Sequence, residues 1–409
     1  MLKGAAVVGQ SGGPTAAINA TLAGVIKGCF AESEAITKVY GMRNGIEGFL
    51  CEDLIDLTER FSNGREGDLD ILAATPAAAL GSCRKKLPLP EADKAFFDGL
   101  VELFKKYDIR YFFYIGGNDS MDTVAKLTKY LETVDYEMRV MGVPKTIDND
   151  LQATDHTPGF GSAAKYIAAT VSEIIRDCAV YKIPAVTIVE IMGRDAGWLT
   201  ASSALSRIVN GQAPDLVYLP EVDFDIDDFI EKIKECFTKH PNVVVAVSEG
   251  LRDKDGRYVG EGTQSGVADA FGHKYLSGTG KCLENIVKER LGCKVRSVEL
   301  NISQRCAAHI RSQADISESL GVGEAAVHGA VSGISGCMMA MERAEGEYSI
   351  LFKAKTIADI ANKVKTVPLE YITADRSNVT DECLHYILPM IQGEAENYFE
   401  SGLPVHIIL

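Results

Sequence analysis

AAVVGQSGGPTAAINATLAGVI, residues 5–26, carries the pattern that decides the fold. Ala5–Val8 is an apolar run, a glycine-rich turn follows, and Thr15 to Ile26 has the spacing of a helix. A run with no polar alternation suits a strand covered on both faces, as in a parallel sheet. The arrangement recurs at Tyr111-Phe-Phe-Tyr-Ile115, followed by Gly116-Gly117-Asn118-Asp119-Ser120 and a helix expected from near Met121. Arg139–Val143, Ala185–Ile191 and Val243–Val247 are further strand candidates. Strand, turn and helix in repeated order predict an α/β fold with mostly parallel sheets. Ligands of such sheets lie beyond the carboxyl ends of the strands, where these glycine-rich and polar clusters fall.

The chain has 409 residues, enough for two or three domains, and no Pro/Gly/Ser linker separates them, so they are expected to be interleaved. A net charge of −15 argues against nucleic-acid and anionic-membrane partners and places any anion in a local pocket. The ten cysteines are scattered singly, which predicts reduced, mostly buried thiols in a cytoplasmic protein. The apolar start is too short for a signal peptide, and no stretch approaches the roughly 20 apolar residues of a membrane span. The acidic run Asp223 to Asp228 reads as a solvated helix start.

Four clusters carry chemistry. Ser11-Gly12-Gly13-Pro14-Thr15 lets backbone N–H groups approach an anion at a helix N-terminus, or is a tight turn capped by Thr15. Gly117-Asn118-Asp119-Ser120 repeats the design, with Asp119 or Ser120 as a cap, or with oxygen ligands for Mg²⁺ beside a phosphate. In Pro144-Lys145-Thr146-Ile147-Asp148-Asn149-Asp150, an extended backbone would put both carboxylates on one side. One can then accept a proton from a hydroxyl while the other orients it or holds metal. Met192-Gly193-Arg194 offers a guanidinium to a phosphate, unless Arg194 simply pairs with Asp195; Trp198 reads as core. Ser248-Glu249-Gly250, Arg296, Gln304-Arg305 and the basic Arg84-Lys85-Lys86 complete the candidates.

Taken in this order, Gly12-Gly13, GGNDS, PKTIDND, MGR, SEG and Gln304-Arg305 resemble the phosphofructokinase family over about three-quarters of the chain. The resemblance implies two interlocked three-layer α/β domains with the active site in the cleft between them. One would comprise residues 1–155 with about 305–355 and bind the donor. The other would comprise 156–304 with about 356–409 and bind the sugar phosphate. It further implies Asp148 as general base toward a sugar 1-hydroxyl, with Arg194 at the transferring phosphoryl group. Thr146, Met192, Gly193, Glu249 and Arg305 would form the sugar-phosphate site, which Arg296 would enter from a neighbouring subunit of a dimer or tetramer. Gly12, Gly13, Arg84 and Gly117 would hold the donor's phosphates.

Two positions decide the donor. ATP-dependent members usually carry GGDGS, and a glycine before TIDND; Asp119 and Lys145 stand at these small-residue positions, resembling the pyrophosphate-dependent branch. A side chain at 119 takes space and adds charge where a nucleotide α-phosphate would lie, while Lys145 offers an ammonium to a compact donor. The reaction implied is reversible, Mg²⁺-dependent transfer from pyrophosphate to fructose 6-phosphate; the alternatives are an ATP donor or another acceptor such as sedoheptulose 7-phosphate. Three positions depart from the family. Asn118 replaces the usual metal-binding Asp, so the metal is expected at Asn118 and Asp119, directly or through water. Ala185 replaces an arginine that meets the sugar phosphate from the next subunit, with Lys182 a candidate substitute. Ile302 replaces a Tyr or His.

Overall fold

Ala5–Val8 lies in an interior strand of a seven-stranded sheet in the computed structural model, which describes residues 2–62, 64–65, 67–261 and 278–409. The first sheet contains β1 (Gly4–Gln10), β2 (Ile36–Met42), β3 (Leu54–Asp56), β4 (Ile109–Gly116) and β5 (Arg139–Pro144). The second contains β6 (Ala185–Ile191), β7 (Leu216–Tyr218), β8 (Asn242–Ser248) and β9 (Lys294–Glu299). The chain then returns to the first sheet with β10 (Cys337–Arg343) and β11 (Ile350–Thr356). The strand orders are β11-β10-β5-β4-β1-β2-β3 and β7-β8-β6-β9. Within these two sheets, among the described residues, only the edge pairs β2/β3 and β10/β11 are antiparallel.

The lack of alternation has its expected cause. Along β1, Ala6 and Val8 enter one apolar cluster while Ala5 and Val7 enter another, so both faces are covered. In β6, Val189 and Ile191 face one cluster, Val186 and Ile188 the other. Burying a Val or Ile side chain stabilises by about 1.5–3 kcal/mol. Helix Ile18–Ala31 packs against helix Gln313–Val331 so closely that a Cβ on Gly24 would overlap Leu320 O. This contact seats the turn that leaves β1.

Register aligns the carboxyl ends. Gln10 pairs with Ile115 and Gly116 with Pro144, so the loops after β1, β4 and β5 share one rim. Chain order reverses at β1, whose neighbours are β2 and β4, which makes the crevice between the ends of β1 and β4 the topological switch point. In the second sheet Ile191 pairs with Ser248 and Glu190 with Glu299, which brings Met192, Glu249 and Leu300 to a second rim.

Smaller expectations divide. Asp225 caps helix Ile226–Phe237, accepting from Asp227 and Asp228 N–H, as the acidic run suggested. Trp198 is buried. All ten cysteines are free, but only Cys29, Cys83, Cys236 and Cys383 are buried, and Cys51 and Cys306 are exposed. A single thiol has too little apolar area to dictate its own burial. Among the described residues, no helix is long and apolar enough to cross a membrane.

Candidate active site

The glycine loop after β1 is held from both sides. Gly12 has φ +78°, a backbone that L side chains rarely adopt. Its N–H donates to Cys83 O (3.1 Å), and its carbonyl accepts from Ser82 Oγ (2.6 Å). That leaves Gly13 and Thr15 as the loop's N–H donors without a hydrogen bond among the described residues. Thr15 does not cap the next helix. The helix starts at Ile18 with Ala17 at the N-cap, and Thr15 Oγ1 accepts from Ala17 N–H, at 3.1 Å.

Lys145 closes this loop from the β5 side. Its N–H donates to Gly116 O (2.9 Å), and its ammonium donates to Gly13 O at 2.6 Å. A Cβ on Gly12 would lie 3.2 Å from Nζ, so glycine there keeps the ammonium seated. Burial lowers the Lys145 pKa from 10.5 to about 8; Asp148 and Asp150 oppose the shift, while Arg84 and Arg305 add to it. The basic cluster therefore reaches this rim. Arg305 arrives from the other sheet, with Nη1 3.8 Å from where a Gly13 Cβ would be.

After β4, Gly117 is the N-cap of helix Asn118–Leu131, and neither Asp119 nor Ser120 caps it. Ser120 and Met121 N–H bond to Gly117 O, leaving the Asn118 and Asp119 N–H groups at the helix N-terminus, where anions are favoured. Asp119 is half-buried, and Lys86 Nζ approaches its carboxylate at 3.6 Å. The Asn118 amide donates to Lys363 O (2.9 Å), while its Oδ1 is buried without a partner among the described residues. No group of three or more His, Cys, Asp or Glu that could hold a metal occurs among the described residues. An orphaned amide oxygen beside one carboxylate fits Mg²⁺, which takes one or two protein oxygens and completes its shell with phosphates and water.

The loop after β5 is not extended. Asn149 has φ +54°, a left-handed turn between the two carboxylates, and Asn tolerates it better than most residues. The expectation of an extended pair sharing one side is corrected here, although the carboxylates stay close enough to act on each other. Thr146 Oγ1 accepts from Asp148 N–H (3.1 Å) and lies 3.4 Å from Asp148 Oδ2. Burial holds Asp148 above the usual carboxylate range, with Lys145, Thr146 and Arg194 opposing. Burial and the Asp148 charge push Asp150 up to about 7.

On the second rim, Gly193 has φ +132°, and a Cβ there would come within 2.5 Å of Ala196 O. Gly193 N–H donates to Glu249 Oε1 (3.3 Å), Gly193 O accepts from Ser248 Oγ (2.5 Å), and Met192 N–H donates to Gln304 Oε1 (3.3 Å). A Cβ on Gly250 would overlap Arg194 O, so the MGR and SEG turns meet backbone to backbone. Burial pushes Glu249 up to about 8; Gly193 N–H and Arg194 oppose this, and Asp148 and Glu190 add to it. Asp195 pairs with Arg252 at 2.6 Å.

Arg296 is not brought to this site within one chain. It is exposed on β9, opposite Thr187 and five residues before the level of Met192, which is roughly 16 Å along a strand. Lys182 is exposed in the loop before β6, and Ala185 faces Lys294 in register, whose ammonium lies 5.6 Å from the Tyr181 ring centroid. Ile302 is 56% exposed. Sequence reasoning missed the segment beneath the site. Lys365 Nζ donates to Asn149 Oδ1 (3.1 Å), and Tyr386 OH accepts from the Asn149 amide (3.3 Å).

Lys145, Asp148, Arg194 and Glu249 thus act on one another across the two rims, with glycine-loop donors on one side and the MGR and SEG turns on the other. A phosphofructokinase family model matches residues 5–328. The pyrophosphate–fructose 6-phosphate 1-phosphotransferase of Halomonas elongata is 42% identical, over 97% of this chain and 93% of that protein. The enzyme of that name from Methylococcus capsulatus is 39% identical, over 98% and 94%. A crystal structure of a pyrophosphate-dependent phosphofructokinase from Nitrosospira multiformis superposes with a TM-score of 0.88 at 37% identity, covering 100% of this chain and 96% of that one. Matched over most of its length by the family model and over nearly all of it by these relatives, the chain belongs to the phosphofructokinase family.

Proposed function

We propose that this chain transfers a phosphoryl group from pyrophosphate to the 1-hydroxyl of fructose 6-phosphate, giving fructose 1,6-bisphosphate and phosphate. The observation that carries this reading is Lys145. Its ammonium sits 2.6 Å from Gly13 O, desolvated, beside Asp148 and among the donor-loop glycines. A compact dianionic donor gains from a cation there, and a nucleotide has to displace it. The names of the relatives support the same donor and acceptor.

In the reaction, Asp148 accepts the proton of the attacking 1-hydroxyl. A base raised above the ordinary carboxylate range holds that proton better, and Lys145 and Arg194 beside it oppose the shift. Lys145, Arg194 and the open amides of Gly13, Asn118 and Asp119 stabilise charge on the transferring phosphoryl group, and Gly117 and Arg84 complete the donor cradle. Thr146, Met192, Gly193, Glu249 and Arg305 hold the sugar phosphate, with Glu249 taking hydroxyls. Asn118 and Asp119 would hold Mg²⁺, which when bound would neutralise charge on the phosphates. No covalent phosphoenzyme is required.

The donor side is assigned to residues 1–155 with about 305–355, the sugar side to 156–304 with about 356–409. Arg296, exposed on an edge strand, serves the site of a second copy, so the enzyme works in the cytoplasm as a homo-oligomer. The test is ³¹P NMR of the purified chain with Mg²⁺, pyrophosphate and either fructose 6-phosphate or sedoheptulose 7-phosphate. Orthophosphate and a 1,6-bisphosphate appear together if the reading holds; turnover of the seven-carbon sugar alone defeats the acceptor assignment.

A further inference from the structure

Residues 363–367 cross beneath the candidate site and bond to three of its loops in succession. Lys363 O accepts from the Asn118 amide at 2.9 Å, reaching the turn after β4. Val364 bridges Leu151, and its carbonyl accepts from Gln152 Nε2 (2.9 Å). Lys365 N–H donates to Asp150 O (2.8 Å). Lys365 O then accepts from the Trp198 indole (3.2 Å), and Val367 N–H donates to Glu221 Oε1 (2.8 Å). The same Glu221 oxygen accepts from Gly197 N–H at 2.8 Å, in the turn that follows Arg194. Five consecutive residues, more than 200 positions downstream of Asp148, thus tie together the loops that follow β4, β5 and β6.

The side chain of Lys365 is the centre of this span. Its ammonium donates to Asn149 Oδ1 (3.1 Å), Thr154 O (3.3 Å) and Asp155 O (2.6 Å), and lies 5.3 Å from the Trp198 ring centroid. Asn149 is the residue whose left-handed backbone turns the chain between Asp148 and Asp150. A non-glycine residue keeps that conformation only where its surroundings hold it, and Lys365 and Tyr386 grip both ends of its side-chain amide. Burial lowers the Lys365 pKa to about 8, with Asp155 and Asp150 opposing the shift.

We propose that residues 363–367 form a strap that fixes the loop after β5, and that Lys365 is the positioning residue through which the strap aims Asp148. The inference rests on reading Asp148 as the base. Lys365 touches no reacting atom, so its effect passes through Asn149 to the neighbouring carboxylate. Misplacement by about 1 Å in such a geometry costs on the order of 10²-fold in rate.

The experiment is a double-mutant cycle on the full chain: Lys365→Met, Asp148→Ala and both together, with kcat and KM for each substrate and equilibrium binding of fructose 6-phosphate. Lys365→Met is expected to lower kcat by roughly 10- to 100-fold and to leave the KM for the sugar phosphate within about threefold. On the Asp148→Ala background it should remove less than about threefold more, because the group it aims is gone. Full additivity, turnover of Lys365→Met within about threefold of the parent, or a loss confined to KM each overturns the strap. Turnover of Asp148→Ala within about 10-fold of the parent instead defeats the base assignment, and with it the aiming role. Asn149→Gly guards against a misfolded Lys365→Met. It accepts φ +54° without strain but removes the side chain that Lys365 holds, so it should show the same kcat loss. Parent-like turnover of Asn149→Gly overturns the proposal.

Discussion

Replacing Lys145 with Met keeps the side chain's length and removes its charge. In the free enzyme burial already holds the Lys145 pKa down from 10.5 to about 8. At 1.36 kcal/mol for each pH unit, the fold carries about 3 kcal/mol to keep this ammonium desolvated. A pyrophosphate oxygen about 4 Å away returns roughly 4 kcal/mol at the effective dielectric of a protein site. Losing an interaction of 3–4 kcal/mol corresponds to ~10²- to 10³-fold in kcat/KM. The assay is a coupled measurement of fructose 1,6-bisphosphate formation with pyrophosphate varied at saturating fructose 6-phosphate. The loss should fall on kcat/KM for pyrophosphate and leave equilibrium binding of the sugar phosphate nearly unchanged. Activity within about 10-fold of the parent, or a loss that appears in sugar-phosphate binding, refutes the role given to this residue.

Other outcomes follow from the same geometry. The pH profile of kcat/KM for pyrophosphate should be bell-shaped. It rises as Asp148, raised by burial, and Asp150, pushed up to about 7, lose their protons, and falls as Lys145 loses its proton near about 8. Lys145→Arg keeps a cation at all accessible pH values and should abolish the descending limb; an unchanged limb assigns it to another group. Asp119→Gly combined with Lys145→Gly clears the space and charge at the two positions proposed to select the donor and should confer measurable turnover with ATP. A double variant that remains inert to ATP shows that donor choice is set elsewhere. Gly24→Ala gains helix propensity but forces its Cβ onto Leu320 O, so overpacking of about 1–3 kcal/mol should lower the thermal unfolding midpoint; an equal or higher midpoint contradicts that contact.

The stretch 5–26 was readable because its physics is local. A strand covered on both faces shows as an unbroken apolar run, and Ala185–Ile191 was bounded correctly for the same reason. Helix starts were less readable. At Thr15, Pro14 and a side chain turned onto Ala17 N–H delay the helix to Ile18, and at Asn118 a glycine caps without a side chain. The clusters at the carboxyl ends were legible because glycines and paired carboxylates make poor packing devices. The left-handed Asn149 was not, since Asp-Asn-Asp fits an extended strand end as well as a turn. Lys365 carried no signal at all. Apart from Asn149 Oδ1, its polar partners are backbone carbonyls, which every sequence offers, and the contacts span more than 200 residues. Arg252, a partner of Asp195, lies 57 positions away, beyond the reach of a local pattern.

In the proposed reaction Lys145 and Asp119 select pyrophosphate, and Asp148 takes the proton of the fructose 6-phosphate 1-hydroxyl. The deciding assay measures fructose 1,6-bisphosphate formed by the purified chain from fructose 6-phosphate and Mg²⁺, with pyrophosphate in one arm and ATP in the other. The expected result is turnover with pyrophosphate and none with ATP. Turnover with ATP alone contradicts the donor assignment, and none in either arm contradicts the reaction.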